Sequence, residues 1–187
     1  MLYLYKINIE YIKKLNSADN RVHYDISDTY DRKPYIGIVF SIQDYLYLIP
    51  LSSPKRKHRN MKNTLDFHKI EDESNFIEDE SNFMGVLNIN NMIPVFDHPA
   101  IIEKIDVEDY IESSNDDDVN YGFLLANQVT FINSNVERDT IKDKAKKIYT
   151  QYNDNTLAIK VRNRTNNFKK LEKELDTFKK KLDEVDE

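Results

Sequence analysis

The sequence predicts an α+β fold. Residues 1–100 should form a small barrel or a strongly curved antiparallel sheet, with residues 106–187 supplying helices that pack on it. Three observations point there. Residues 35–42 and 45–51 alternate apolar and polar side chains around the polar pair Gln43-Asp44, the pattern of a β-hairpin. After Asp106 the apolar period changes from two residues to 3.6. Phe168, Leu171, Leu175, Phe178, Leu182 and Val185 then recur at spacings of three and four, the stripe of a long C-terminal helix.

Each element has its own signal. Residues 2–9 alternate and read as a first strand, and Tyr11, Ile12 and Leu15 are spaced for a short amphipathic helix. Residues 16–32 are polar with little periodicity and read as a loop leading into the hairpin. Residues 64–70, 83–89 and 92–96 read as three further short strands. Between the first two of these lies IEDESNF in tandem, Ile70–Phe76 and Ile77–Phe83. Two copies are too few for a coiled coil, so residues 71–82 read as an acidic surface loop that tolerated a duplication. Residues 119–131 and 136–152 are helical in spacing, the second with Ile141, Ala145, Ile148 and Tyr152 on one face. Asn153-Asp154-Asn155 breaks that helix, and residues 156–160 form a short link, extended or helical. The final stripe holds fewer than three heptads, which favours a helix docked on its own domain.

Bulk properties narrow the function classes. A chain of 187 residues suits one domain, or one domain plus an appended helical part. It has no run of about 18 apolar residues, which argues against a membrane span. The N-terminus lacks the basic region and cleavage site of a signal peptide, and there is no cysteine. These features point to the cytoplasm. His23, His58, His68 and His98 show no ligand spacing, so no metal site and no cofactor are expected. The net charge of −6 hides an uneven distribution. Residues 1–69 carry +5, residues 70–119 carry −14 and residues 120–187 carry +3. The two flanks are basic enough to face a polyanion, and the acidic middle should lie on the opposite face.

The chemistry concentrates around the hairpin. Lys33 precedes its first strand, and Ser52-Ser53-Pro54-Lys55-Arg56-Lys57-His58 follows its second. A hairpin returns the chain to its start, so these groups should meet at one end of the sheet. Hydroxyls, ammonium groups and an imidazole without metal ligands suit a phosphate, and the reaction they suit best is metal-free RNA cleavage. There the 2′-OH is the nucleophile, general acid–base help contributes about 10²–10⁴-fold, and charge stabilisation often contributes more. Lys33 and Lys55 fit charge stabilisation, and Ser52 and Ser53 fit oxygen binding. Tyr30 and His58 fit proton transfer or ribose positioning. The identity of the general base stays open, since neither lysine nor serine is a base at neutral pH unless its pKa is lowered. For RNA binding, cations interleave with aromatics at Tyr11 and Lys14, and at Lys144 and Lys147 beside Tyr149 and Tyr152. Lys160 and Arg162 follow, and Arg56 and Lys57 add charge to the hairpin loop. Each of these alone is as readily an ordinary solvated residue.

The ordered motifs resemble the endoribonuclease toxins of type III toxin–antitoxin systems, the ToxN/AbiQ family. They are Tyr11-Ile12-Lys13-Lys14-Leu15 after a first strand; Thr29-Tyr30; Lys33-Pro34-Tyr35-Ile36-Gly37-Ile38-Val39; residues 47–55 with Pro50-Leu51-Ser52-Ser53-Pro54-Lys55; and Asn88-Ile89-Asn90-Asn91-Met92-Ile93-Pro94-Val95. The resemblance implies a partly open barrel similar to the MazF/Kid toxins. It implies a single metal-independent endoribonuclease domain over 1–187 that leaves a 2′,3′-cyclic phosphate and acts in abortive phage infection. It implies inhibition by direct binding of a repetitive, pseudoknotted antitoxin RNA in a closed, heterohexameric protein–RNA assembly. The substrates implied are mRNA and the antitoxin precursor, not DNA. Carried over by position, the site residues are Tyr30, Lys33, Ser52, Ser53 and Lys55, with Tyr11 in an RNA groove and His58 matching in place. The IEDESNF duplication departs from the family pattern.

Two rival readings use the same residues differently. A non-catalytic RNA-binding module would use the basic groove without cleavage. A scaffold would associate through the C-terminal stripe.

Overall fold

A computed structural model describes residues 1–23, 36–71 and 82–184. The first strand, β1 (Leu4–Ile7), is shorter than the expected 2–9, because Asn8 already caps the following helix. The Asn8 side chain accepts from Glu10 N–H and Tyr11 N–H, and α1 (Ile9–Ala18) follows. The hairpin forms as expected, with β2 (Ile36–Ile42) antiparallel to β3 (Tyr45–Ser52) in a register running from Gly37–Pro50 to Ile42–Tyr45. Its two-residue turn places Gln43 at φ 52°, a left-handed conformation that a glycine would adopt at less cost.

The loop expected at 52–58 contains one helical turn, α2 (Arg56–Arg59). Beyond it come β4 (Phe67–Glu71), β5 (Phe83–Asn88), a 3-10 turn (Ile89–Asn91) and β6 (Ile93–Val95). Both β5 and β6 lie along β3 on the side away from β2. Val86 and Leu87 of β5 pair with Ser52 and Leu51, and residues 93–95 of β6 pair with residues 46–48. The 3-10 turn takes up the offset between the two registers. A seventh strand, β7 (Ile102–Lys104), was not legible in the sequence. It pairs with β1 and is too short for a readable alternation.

The sheet has seven strands in the order β4-β5-β3-β2-β1-β7, with β6 beside β3. All its pairings are antiparallel. The path does not return on itself, so the sheet is open and the expected barrel is not closed among the described residues. The helices then follow: α3 (Val107–Ile111), α4 (Asp116–Ile132), α5 (Asn135–Asn153), α6 (Ile159–Arg162) and α7 (Phe168–Asp183). Asn115 caps α4, whose first turn carries Asp116, Asp117 and Asp118 where the helix dipole favours acids.

Two apolar cores hold these layers together. One joins β2, β3 and β5 to α4, α5 and Phe168. The other joins β1, α1 and β6 to Leu171 and Leu175 of α7. Phe168, Leu171, Leu175 and Phe178 of the C-terminal stripe are therefore packed on their own chain, and Val185 lies outside the described residues. Glu172, 4% exposed, is tied into the contact by Tyr47 Oη at 2.6 Å, Tyr149 Oη at 2.7 Å and Lys169 Nζ at 3.0 Å. No helix among the described residues is long and apolar enough to cross a membrane.

Candidate active site at the end of the hairpin

β3 leaves the sheet at Ser52, which is half-buried, and the next five residues, 53–57, are exposed. Alternation along paired strands decides what surrounds it. Ser52 pairs with Val86, and Val86 pairs with Lys69, so these three share one face. Phe67 and Asn88, two residues along, share it too. Strand spacing puts the Lys69 backbone about 10 Å from that of Ser52.

Asn88 Nδ2 donates to Ser52 Oγ at 3.0 Å. That bond occupies a lone pair of the hydroxyl and leaves the Ser52 O–H free to donate elsewhere. Gly85, at φ 144°, lets β5 approach β3 at this point. A Cβ there would stand 2.5 Å from the Ser52 carbonyl oxygen and 3.0 Å from Gln128 Nε2. Gln128, buried on α4, holds the strand in place by donating to the Met84 carbonyl at 2.7 Å.

The exposed turn rises over this floor. His58 N–H donates to the Lys55 carbonyl at 2.8 Å and starts α2. His58 is 8% exposed, and its ring meets Phe67 edge-to-face at 5.8 Å. Its Nδ1 is buried without a hydrogen-bond partner. Burial, and then the neighbouring Lys57 and Lys55 cations, hold its pKa below the ordinary histidine value. The imidazole is therefore neutral at neutral pH and able to accept a proton. Lys55, Arg56 and Lys57 stay exposed around it. Lys69 Nζ donates to the Arg59 carbonyl at 3.1 Å, pairs with Glu71 and lies 5.3 Å from the Phe83 ring centre.

The fold thus brings Ser52, Ser53, Lys55, Arg56, Lys57 and His58 to one end of the sheet. Tyr30, Lys33 and residues 72–81 of the acidic loop lie outside the described residues. Tyr11 is a correction: its ring is fully buried in the second core, and its hydroxyl donates to the Pro94 carbonyl at 2.8 Å. It offers RNA no stacking face. The remaining cations are spread over other elements. Lys14 lies on α1, 4.8 Å from the Phe178 ring centre. Lys147 and Lys160 are exposed on α5 and α6. Arg162 donates to the Tyr152 carbonyl at 2.6 Å and stacks over that ring. Lys144 contacts His68 and the Phe67 carbonyl, on the strand beneath His58. Sequence reasoning missed Asn88, Gly85 and Lys69. Alternation could have put Val86 and Asn88 on one face, but which strands they pair with was not readable.

A sequence profile described as "Toxin ToxN, type III toxin-antitoxin system" matches residues 3–176. The chain is 30% identical to Endoribonuclease ToxN of Bacillus thuringiensis subsp. kurstaki over 143 residues, 76% of this chain but 64% of that protein. It is 31% identical to Endoribonuclease ToxN of Pectobacterium atrosepticum over 136 residues, 72% of each chain. Among solved structures, one from work on a processed non-coding RNA that regulates a bacterial antiviral system has a TM-score of 0.72 at 27% identity. The alignment spans 93% of this chain and 97% of that one. Another, from work on type III toxin inhibition by a non-coding RNA pseudoknot, shares the fold with a TM-score of 0.73 at 24% identity, over 95% and 98% of the two chains. With the profile spanning nearly its whole length, the chain belongs to the ToxN toxin family of type III toxin–antitoxin systems.

Proposed function

We propose that this chain is a metal-independent endoribonuclease toxin whose active site is the Ser52–His58 turn, acting in abortive phage infection. The observation that carries the reading is the Asn88–Ser52 hydrogen bond at the foot of an exposed Ser/Lys turn, beside a histidine held neutral. The RNA 2′-OH attacks the adjacent phosphorus. The P–O2′ bond forms, the P–O5′ bond breaks, and a 2′,3′-cyclic phosphate and a 5′-OH end result. Ser52 and Ser53 donate to the non-bridging oxygens, and the Lys55 ammonium offsets the charge that builds there. His58 takes the 2′-OH proton. Tyr30 and Lys33 complete the site, donating to the phosphate and the leaving 5′-oxygen. Arg56, Lys57, Lys144, Lys147, Lys160, Arg162 and Lys14 hold the flanking RNA.

The relatives support the endoribonuclease assignment by name. The solved neighbours, from work on toxin inhibition by a non-coding RNA pseudoknot and on regulation by a processed non-coding RNA, support an RNA partner. For this chain the partner proposed is a repetitive pseudoknot antitoxin bound in a closed heterohexamer. The substrates are mRNA and the antitoxin precursor, in the cytoplasm.

The test is cleavage of single-stranded RNA by purified protein, with Ser53→Ala and Ser52→Ala as controls. Wild-type protein in EDTA should leave 2′,3′-cyclic ends, and both variants should lose at least about a hundredfold in rate. The variants should still bind the repeat RNA. Binding without any cleavage by wild-type protein would replace this reading with the RNA-binding module.

A further inference from the structure

The opposite face of β4 carries a second cluster. His68 alternates away from Phe67 and Lys69, toward the helices. It is 3% exposed and bridges two charges. Its Nε2 lies 2.8 Å from Glu137 Oε2, and its Nδ1 lies 3.2 Å from Lys144 Nζ. An ammonium only donates and a carboxylate only accepts, so the neutral ring carries its proton on Nε2. Glu137, Thr140 and Lys144 stand three and four residues apart on α5 and form one stripe. With Phe131, Asn63, Lys69 and Glu71 they line a cavity of about 390 Å³ at the edge of the sheet. That volume lies within the range of small-ligand pockets.

The lining defines the ligand. Two lysines face two glutamates, so the formal charge sums to zero and neither a phosphate nor a cation is favoured. The spare capacity is mixed: Glu137 keeps an oxygen that can accept, Lys144 and Asn63 keep N–H groups that can donate, and Thr140 does either. Phe131 adds a ring at the wall. An uncharged planar group with donors and acceptors along its edge matches this set. Unpaired RNA bases are recognised in that way, by stacking on a ring and hydrogen bonds to the base edge.

We propose that the His68–Glu137–Lys144 pocket, at the outer edge of β4, binds a single unstacked nucleobase. It deepens the RNA reading and rests on it for the source of the base. A strand held here is anchored beside Lys144, whose Nζ reaches the carbonyl of Phe67, the residue under His58. The pocket would thus fix the register of RNA that also reaches Ser52.

The experiment follows the His68 imidazole and Thr140 methyl resonances of the full chain by NMR. The probes are the four free nucleosides, inorganic phosphate, and 2′-O-methyl oligomers of about eight nucleotides, which lack the nucleophile and cannot be cleaved. One or more nucleosides or oligomers should move both resonances with base selectivity. Thr140→Leu, which fills the cavity, should weaken the favoured oligomer about tenfold. A clear preference for oligomer over nucleoside identifies RNA as the source, and equal affinity identifies a free nucleoside. Resonances that respond to phosphate alone, or to no probe, overturn the proposal, and both readings use the wild-type chain. A parallel cleavage assay separates the two ideas. A responsive pocket without cleavage sinks the nuclease reading alone, and cleavage with a silent pocket sinks the base site alone.

Discussion

Single residues make the sharpest predictions. Asn88 acts through Ser52, so Asn88→Ala should lower kcat about tenfold or more with little change in KM, while Asn88→Gln restores part of the loss if its amide reaches Oγ. Steady-state cleavage of a short RNA reads the split. His58 gives a pH prediction. A base must be unprotonated, and its folded pKa is lowered, so the acid limb of the rate profile should fall below the ordinary histidine value of about 6.5. His58→Gln should remove that limb. Tyr11→Phe tests the corrected position. It leaves the buried Pro94 carbonyl without its donor, which costs about 1–3 kcal/mol in denaturant unfolding, and RNA affinity should not change.

At the scale of elements, α7 is part of the domain rather than a free stripe for a partner. Leu171 is fully buried against β1, α1 and β6, so Leu171→Ala should cost about 2–5 kcal/mol in chemical denaturation. Ending the chain after Asn167 would remove Phe168, Leu171, Leu175 and Glu172 together and should abolish cooperative unfolding. That argues against a scaffold acting through this helix. The hairpin turn offers the opposite sign. Gln43 sits at positive φ, so Gln43→Gly should stabilise the fold by about 1 kcal/mol, seen as a raised Tm.

For the whole molecule, acid sensitivity comes from His58, lowered by burial and then by Lys57 and Lys55, and from three further buried groups. Burial alone would raise Asp19 and Asp66, but Arg21 with the Asn167 amide, and Arg164 with Thr64, outweigh it and lower both pKa values. His68 is lowered by burial and Lys144 against the opposing pull of Glu137. In all four the unfolded chain binds protons more readily than the folded one. Their stabilisation is therefore complete above the unfolded pKa and is lost as pH falls through the folded value. Stability should begin to fall below about pH 6.5, where His58 and His68 start to protonate on unfolding, and fall again below about pH 4 as the aspartates do. Thermal melts across that range, with Asp66→Asn blunting the lower step, check the sign. RNA affinity should also fall steeply with salt, because basic flanks of +5 and +3 displace counterions.

Local pattern by itself determined the hairpin, its register, the two long helices and the C-terminal stripe, because alternation and the 3.6-residue period are written between near neighbours. It also determined that Ser52, Ser53, Lys55 and His58 share one end of the sheet, since seven consecutive residues cannot separate far. Only the tertiary structure decided which strands lie beside that end. The pairing of β5 with Ser52 joins residues 34 apart, a contact no local period encodes, and it alone supplies Asn88, Gly85 and Lys69. The same holds for what is buried. Tyr11 reads as a surface aromatic beside lysines until α7, more than 150 residues later, packs Phe178 against it at 5.3 Å. The His68 pocket likewise exists only because α5 crosses the far face of an edge strand.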